Sequence, residues 1–182
     1  MNDNKINVLL IEDNPGDVRL VKEMLYQASF LDNPSSVIEF AHAGRLQAAL
    51  AHLKKHTCDV ILLDLSLPDA TGLDSILKLK ENHPSTPIII LSGQAVNQTV
   101  VEAVQHGAQD YLAKNDLTAN LLLKTIHYTI ERHRLLLEIK GRAEELESQN
   151  IALNDFAHTV AHQIQGLLSQ MVGYASLVDS HY

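Results

Sequence analysis

The chain has 182 residues, 46% of them hydrophobic and 20% charged, enough to bury a core in one domain of ordinary size plus an appendage. Its net charge of −8 repels nucleic-acid phosphates, and with no Lys/Arg-rich patch or helix-turn-helix to offset that, a nucleic-acid-binding output is not expected. A single cysteine, Cys58, excludes an internal disulfide framework, apolar runs such as residues 88–91 are too short to span a bilayer, and the opening MNDNKINVLLIEDN lacks signal-peptide order, so a cytoplasmic protein is expected.

In chain order, residues 5–11 (KINVLLI) read as the first strand. Residues 18–28 carry Val18, Val21, Met24, Leu25 and Ala28 at helical spacing. Residues 37–41 form a weaker strand ahead of an Ala/Leu-rich helix over 45–56. Val60–Asp64 is the third strand, and the helix after it stops near ENHP, where Pro84 breaks it. Residues 88–91 are the fourth strand. The helix over 98–106 closes on Gly107, suited to a left-handed C-cap. DYLAK, residues 110–114, is the fifth strand. Strict alternation of helix with near-continuous apolar strands predicts a parallel sheet covered on both faces, and right-handed crossovers leave a doubly wound α/β fold. In such sheets ligands sit beyond the carboxyl ends of the strands.

After Leu117 the pattern changes. From Thr118 to Tyr182 there is no proline, and only Gly141, Gly166 and Gly173 interrupt helix formers. With Leu146 at heptad position d, Ile139, Leu153, Val160, Leu167 and Tyr174 also occupy d. Leu136, Ala143, Asn150, Ala157, Ile164, Met171 and Val178 occupy a. An apolar seam of that length with one polar a residue, Asn150, predicts a two-stranded coiled coil and a parallel homodimer.

Glu12 and Asp13 end the first strand, Asp64 the third, Ser92 the fourth and Lys114 the fifth. Three carboxylates converging on one edge repel each other unless a cation is present, and all-oxygen ligands suit Mg²⁺ completed by water and phosphate oxygens. Carboxylate nucleophile, metal, ammonium and hydroxyl together meet the needs of an in-line phosphoryl transfer to aspartate. Taken singly, each residue has a plainer reading. Asp13 or Asn14 caps the first helix, Ser92 belongs to a turn, and Lys114 is a solvated charge. Their joint placement favours the site.

The blocks VLLIEDNPGD, VILLDLSLPDATGLD, IIILSGQ and DYLAKNDL resemble the four signature blocks of the receiver domain of two-component response regulators, over residues 5 to about 130. The resemblance implies a flavodoxin-like five-stranded sheet of order 2-1-3-4-5. It makes Asp64 the phosphoryl acceptor, and Asp13, Asp64 and the Ser66 carbonyl Mg²⁺ ligands, with Glu12 reaching the metal through water. Ser92 becomes the switch hydroxyl, Lys114 the lysine that meets the phosphoryl group, and Tyr111 the aromatic that moves inward on activation. The partner implied is a cognate histidine kinase or phosphotransfer protein. Asn115 stands where many receivers carry proline.

The segment NDFAHTVAHQIQGLLSQMVGYASLV resembles the phosphoaccepting first helix of histidine-kinase dimerisation domains. His162 aligns with the phosphorylated histidine and falls at the outward position f; His158, at b, is the lesser candidate. Gln163 replaces the usual adjacent acid and Leu167 the usual proline. The expected organisation is a receiver over 1–130, a coiled-coil signalling helix over 131–153 continuous with the last receiver helix, and a partial dimerisation helix over 154–182. The chain ends at Tyr182 with no second bundle helix, ATP lid or asparagine box, so alone it is not expected to transfer phosphate from ATP. Three functions follow. The first is a phosphorelay switch passing from Asp64 along a dimeric coiled coil to the His162 region. The second is the regulatory part of an ATP-dependent kinase autophosphorylating on His162. The third is a dimeric scaffold whose receiver is inactive.

Overall fold

In the computed structural model, residues 4–31, 36–70, 72–93 and 98–179 are described. The chain divides into two units, Met1–Arg134 and Leu135–Tyr182. In the first, β1 (Asn4–Ile11), β2 (Ser36–Ala43), β3 (Val60–Asp64), β4 (Ile88–Ser92) and β5 (Asp110–Ala113) form a parallel sheet of order β2-β1-β3-β4-β5. The connecting helices are α1 (Pro15–Leu31), α2 (Leu46–Leu53), α3 (Leu73–Asn82) and α4 (Gln98–Gln105), and α5 (Ala119–Asp179) follows β5. The doubly wound fold and strand order expected from the sequence are the ones observed. Among the described residues no helix is long and apolar enough to cross a membrane.

The strand period of two sorts the core into two layers. Leu9, Ile11, Ile61, Leu63, Ile88 and Ile90 face one side, packing on Leu46 and Ala49 of α2, Ile76 and Leu79 of α3 and Ala103 of α4. Val8, Leu10, Val60, Leu62, Ile89 and Leu91 face the other, against Val21 and Leu25 of α1 and Leu122 and Ile126 of α5. All five residues of β3 are buried, so its carboxyl end is held by packing on both faces.

Helix ends follow local chemistry. Pro15 opens α1, where its missing N–H costs nothing, and the Gly16 N–H donates to Asn14 Oδ1 at 2.8 Å. Of the two caps weighed for this helix, Asn14 is the one that bonds. The Leu121 N–H donates to Thr118 Oγ1 at 3.2 Å at the start of α5. Gly107 takes φ 108° after α4, the left-handed stop its position predicts. Several boundaries differ from expectation, β2 for instance running Ser36–Ala43 rather than 37–41. α2 ends at Leu53 rather than near residue 56, because residues 54 and 55 already form a turn. Lys114 is not the last residue of β5; it opens a short 3₁₀ turn, Lys114–Asp116, in which its carbonyl accepts from the Leu117 N–H. Among the described residues there is no cis peptide bond.

α2 lacks a cap of its own, since Arg45 makes no side-chain bond to it. Asp69, in the loop after β3, supplies one. Its Oδ1 and Oδ2 accept from the Leu46 and Gln47 N–H groups, each at 3.0 Å. Slight burial raises its carboxyl, but these two bonds and the Arg45 charge outweigh that and hold it below the ordinary value. Asp69→Ala is expected to cost about 1 kcal/mol, read as a lower urea midpoint. The carboxylate's contribution is complete above the ordinary value of 3.8 and fades as pH falls below it, so parent and variant converge in acid. Burial pushes the Cys58 thiol, whose Sγ donates to the Val60 carbonyl at 2.9 Å, from 9.0 up to about 11. At pH 8 the folded chain should react with iodoacetamide roughly a hundredfold more slowly than the urea-unfolded chain.

Candidate functional site

The register of β1 on β3 places Leu10 beside Leu62 and Ile11 beside Leu63. One step further, Glu12 and Asp64 come side by side, and alternation turns both toward the layer that holds α1. Carboxylate oxygens of Glu12, Asp13 and Asp64 lie within 4.8 Å of one another. Glu12 and Asp64 are buried and Asp13 is exposed.

Lys114 enters from the turn after β5. Its ammonium donates to Glu12 Oε2 at 2.5 Å, to Asp17 Oδ2 at 2.7 Å and to Asp64 Oδ2 at 2.8 Å. Burial alone would lower its pKa. The bonds to Asp17, Asp64 and Glu12 outweigh that and hold it well above the ordinary lysine value. For Glu12 the balance falls the other way. Burial raises its carboxyl, and the Lys114 and Asn14 hydrogen bonds offset only part of the rise, to which the Asp64 charge adds. The Asn14 N–H donates to Glu12 Oε1 at 3.1 Å, and the Ser66 N–H to Asp64 Oδ1 at 3.1 Å. These bonds fix both carboxylates in place.

Of the remaining residues singled out in the sequence, Ser92 ends β4, half-buried and opposite Ala113 of β5. Tyr111, in the middle of β5, is half-buried against the core layer that α2, α3 and α4 cover. Glu12, Asp13, Asp64 and Lys114 thus meet directly at the carboxyl edge of the sheet. His158 and His162 are exposed on α5 in the second unit. The side chains of Ala157, Leu167, Tyr174 and Val178, four of the expected heptad positions, lie outside the described residues.

Two neighbours of the site were not singled out from the sequence. Asp17, in the first turn of α1, is one of the three carboxylates on Lys114. His42 ends its ring nitrogen Nε2 at 2.8 Å from the Glu12 carbonyl oxygen, to which it donates. An acid in the first helical turn after an acidic strand end was the available signal for Asp17. For His42, at the end of β2, its place beside β1 gave no such signal.

The chain matches known proteins over much of its length. A profile of the response regulator receiver domain matches residues 8–127. Regulatory protein LuxO of Vibrio vulnificus is 38% identical over 113 residues, covering 62% of this chain and 24% of LuxO. Two-component response regulator PhoP of Pseudomonas aeruginosa is 30% identical over 146 residues, covering 75% of this chain and 65% of PhoP. The chain therefore spans about a quarter of LuxO and just under two thirds of PhoP. Among solved structures, a response regulator receiver domain protein from Clostridium thermocellum aligns with TM-score 0.62 and 26% identity, over 72% of this chain and 98% of that one. The receiver domain of a sensor histidine kinase from Pseudomonas aeruginosa, whose crystal structure has magnesium coordinated in its active site cleft, aligns with TM-score 0.59 and 25% identity, over 70% and 98%. The chain belongs to the response regulator receiver domain family.

Proposed function

We propose that Asp64 accepts a phosphoryl group from a phosphohistidine on a cognate histidine kinase or phosphotransfer protein. The observation that carries this reading is the Lys114 ammonium bridging Glu12 and Asp64 beside Asp13. An Asp64 carboxylate oxygen forms the new bond to phosphorus as the donor's N–P bond breaks, and the imidazole leaves with that electron pair. Lys114 already touches Asp64 and is placed to meet the incoming phosphoryl oxygens, while β3 holds the nucleophile still.

The donor set fits Mg²⁺: three carboxylates, two of them buried, have oxygens within 4.8 Å of one another, and the Lys114 ammonium bridges two of them. Asp13, Asp64 and the Ser66 carbonyl would hold the ion, with Glu12 acting through water. Bound there, it would supply positive charge to the carboxylates and to the transferring phosphoryl oxygens. Ser92 then follows the phosphoryl group and Tyr111 repacks against its core layer. The change passes along α5 through a parallel homodimer to the exposed His162 region, where the domain boundaries expected near residues 130 and 153 divide receiver, coiled coil and dimerisation helix. The matched receiver domains support the phosphoryl-acceptor part of this reading.

Incubation with acetyl phosphate and Mg²⁺ should add one phosphoryl group by intact mass, and Asp64→Asn should add none. An unmodified parent chain would instead mean an inactive receiver serving as a scaffold. Lys114→Ala should slow the gain about a hundredfold. Because its charge adds to a crowded acidic edge, Asp13→Asn should raise Tm by a few degrees in metal-free buffer. The same variant should lose most of the further rise that Mg²⁺ gives the parent chain.

A further inference from the structure

Within the second unit, Leu136, Ile139, Leu146, Leu153, Ile164 and Met171 are 52–68% exposed, although all fall on the a and d positions of one heptad frame. No charged residue occupies an a or d position from Leu136 to Met171. A stripe kept in this repeat needs another helix to cover it.

Building on the dimer invoked under the proposed function, we propose that a second copy of this helix covers the stripe. The two copies run parallel and in register, aligned by Arg142 of one chain meeting Glu147 of the other. In the frame Arg142 is a g residue and Glu147 the e residue five positions on. Parallel, in-register strands bring such a pair together, and twofold symmetry makes it twice. The neighbouring g–e pairs oppose no like charges: Leu135 meets Lys140, and Gln149 meets Asn154.

An antiparallel pair of full overlap would carry Arg142 to the far end of the helix. No Asp or Glu lies there between Asp155 and Asp179, so Arg142 and Glu147 would both go unmatched. Asn150 points the same way. It is the one polar residue at an a position of the frame, and it meets its own copy across the axis only when the helices are parallel and in register. Within its own helix the Asn154 Nδ2 donates to Asn150 Oδ1 at 2.9 Å, and the NH₂ of Asn150 suits the oxygen of its copy. The Arg142 guanidinium also takes Glu138 Oε1 at 2.6 Å; with five donors it serves both carboxylates.

The test uses the full chain in low-salt buffer, with association read by sedimentation equilibrium. The parent chain should be a dimer. Arg142→Glu and Glu147→Arg should each raise the dissociation constant about tenfold, and the double reversal should return it to within about threefold of the parent. In a Cys58→Ser background, Leu153→Cys should form a disulfide-linked dimer under oxidation. Circular dichroism guards against misfolding, since neither charge lies in the receiver core. A monomer that needs a different protein, a dimer indifferent to both reversals, or one that Leu153→Cys cannot cross-link would each overturn the proposal. Association is measured without phosphate and again in Asp64→Asn, so its failure leaves the acceptor reading standing, and loss of phosphoryl uptake leaves this one.

Discussion

One ammonium among carboxylates organises this site. Lys114 sits within 2.8 Å of oxygens on Glu12, Asp17 and Asp64, which come from the end of β1, the first turn of α1 and the end of β3. Without that charge, two buried carboxylates would face each other and a third across a short gap, at a cost of several kcal/mol. With it the edge still carries excess negative charge, since Asp13 adds a further carboxylate. A site that is stable yet short of positive charge suits a divalent cation and a phosphoryl group arriving together.

The scaffold keeps this arrangement rigid through packing rather than through the polar network alone. β3 lies between β1 and β4 with every residue buried, and alternation along the strands assigns each face its own helices. The bonds from Ser66 and Asn14 then fix the carboxylates locally. Asp69 extends the same logic outward, tying the loop that follows β3 to the first turn of α2.

Much of this was legible in the sequence for a simple reason. Alternating elements fix a parallel sheet, a parallel sheet gathers its strand ends at one edge, and the acidic, hydroxyl and lysine residues stood at those ends. What escaped depends on contacts between distant segments. Asp17 meets Lys114 across 97 positions of sequence and Asp69 meets Leu46 across 23, through helix starts whose orientation no periodicity records. The extent of α2 and the exit of Lys114 into a 3₁₀ turn turned on one or two residues of local hydrogen bonding, where sequence pattern is weakest. The seam beyond Leu136 was legible as a repeat, and its exposure in a single chain is the structural counterpart of that repeat.

The burial of β3 separates two evolutionary problems. Because the Asp64 carboxylate is positioned from within, substitutions on the outward faces of the surrounding helices leave its setting undisturbed. The exposed surface is thereby free to drift in sequence while the buried carboxylate edge stays constant, and a redesigned exterior would leave that centre untouched.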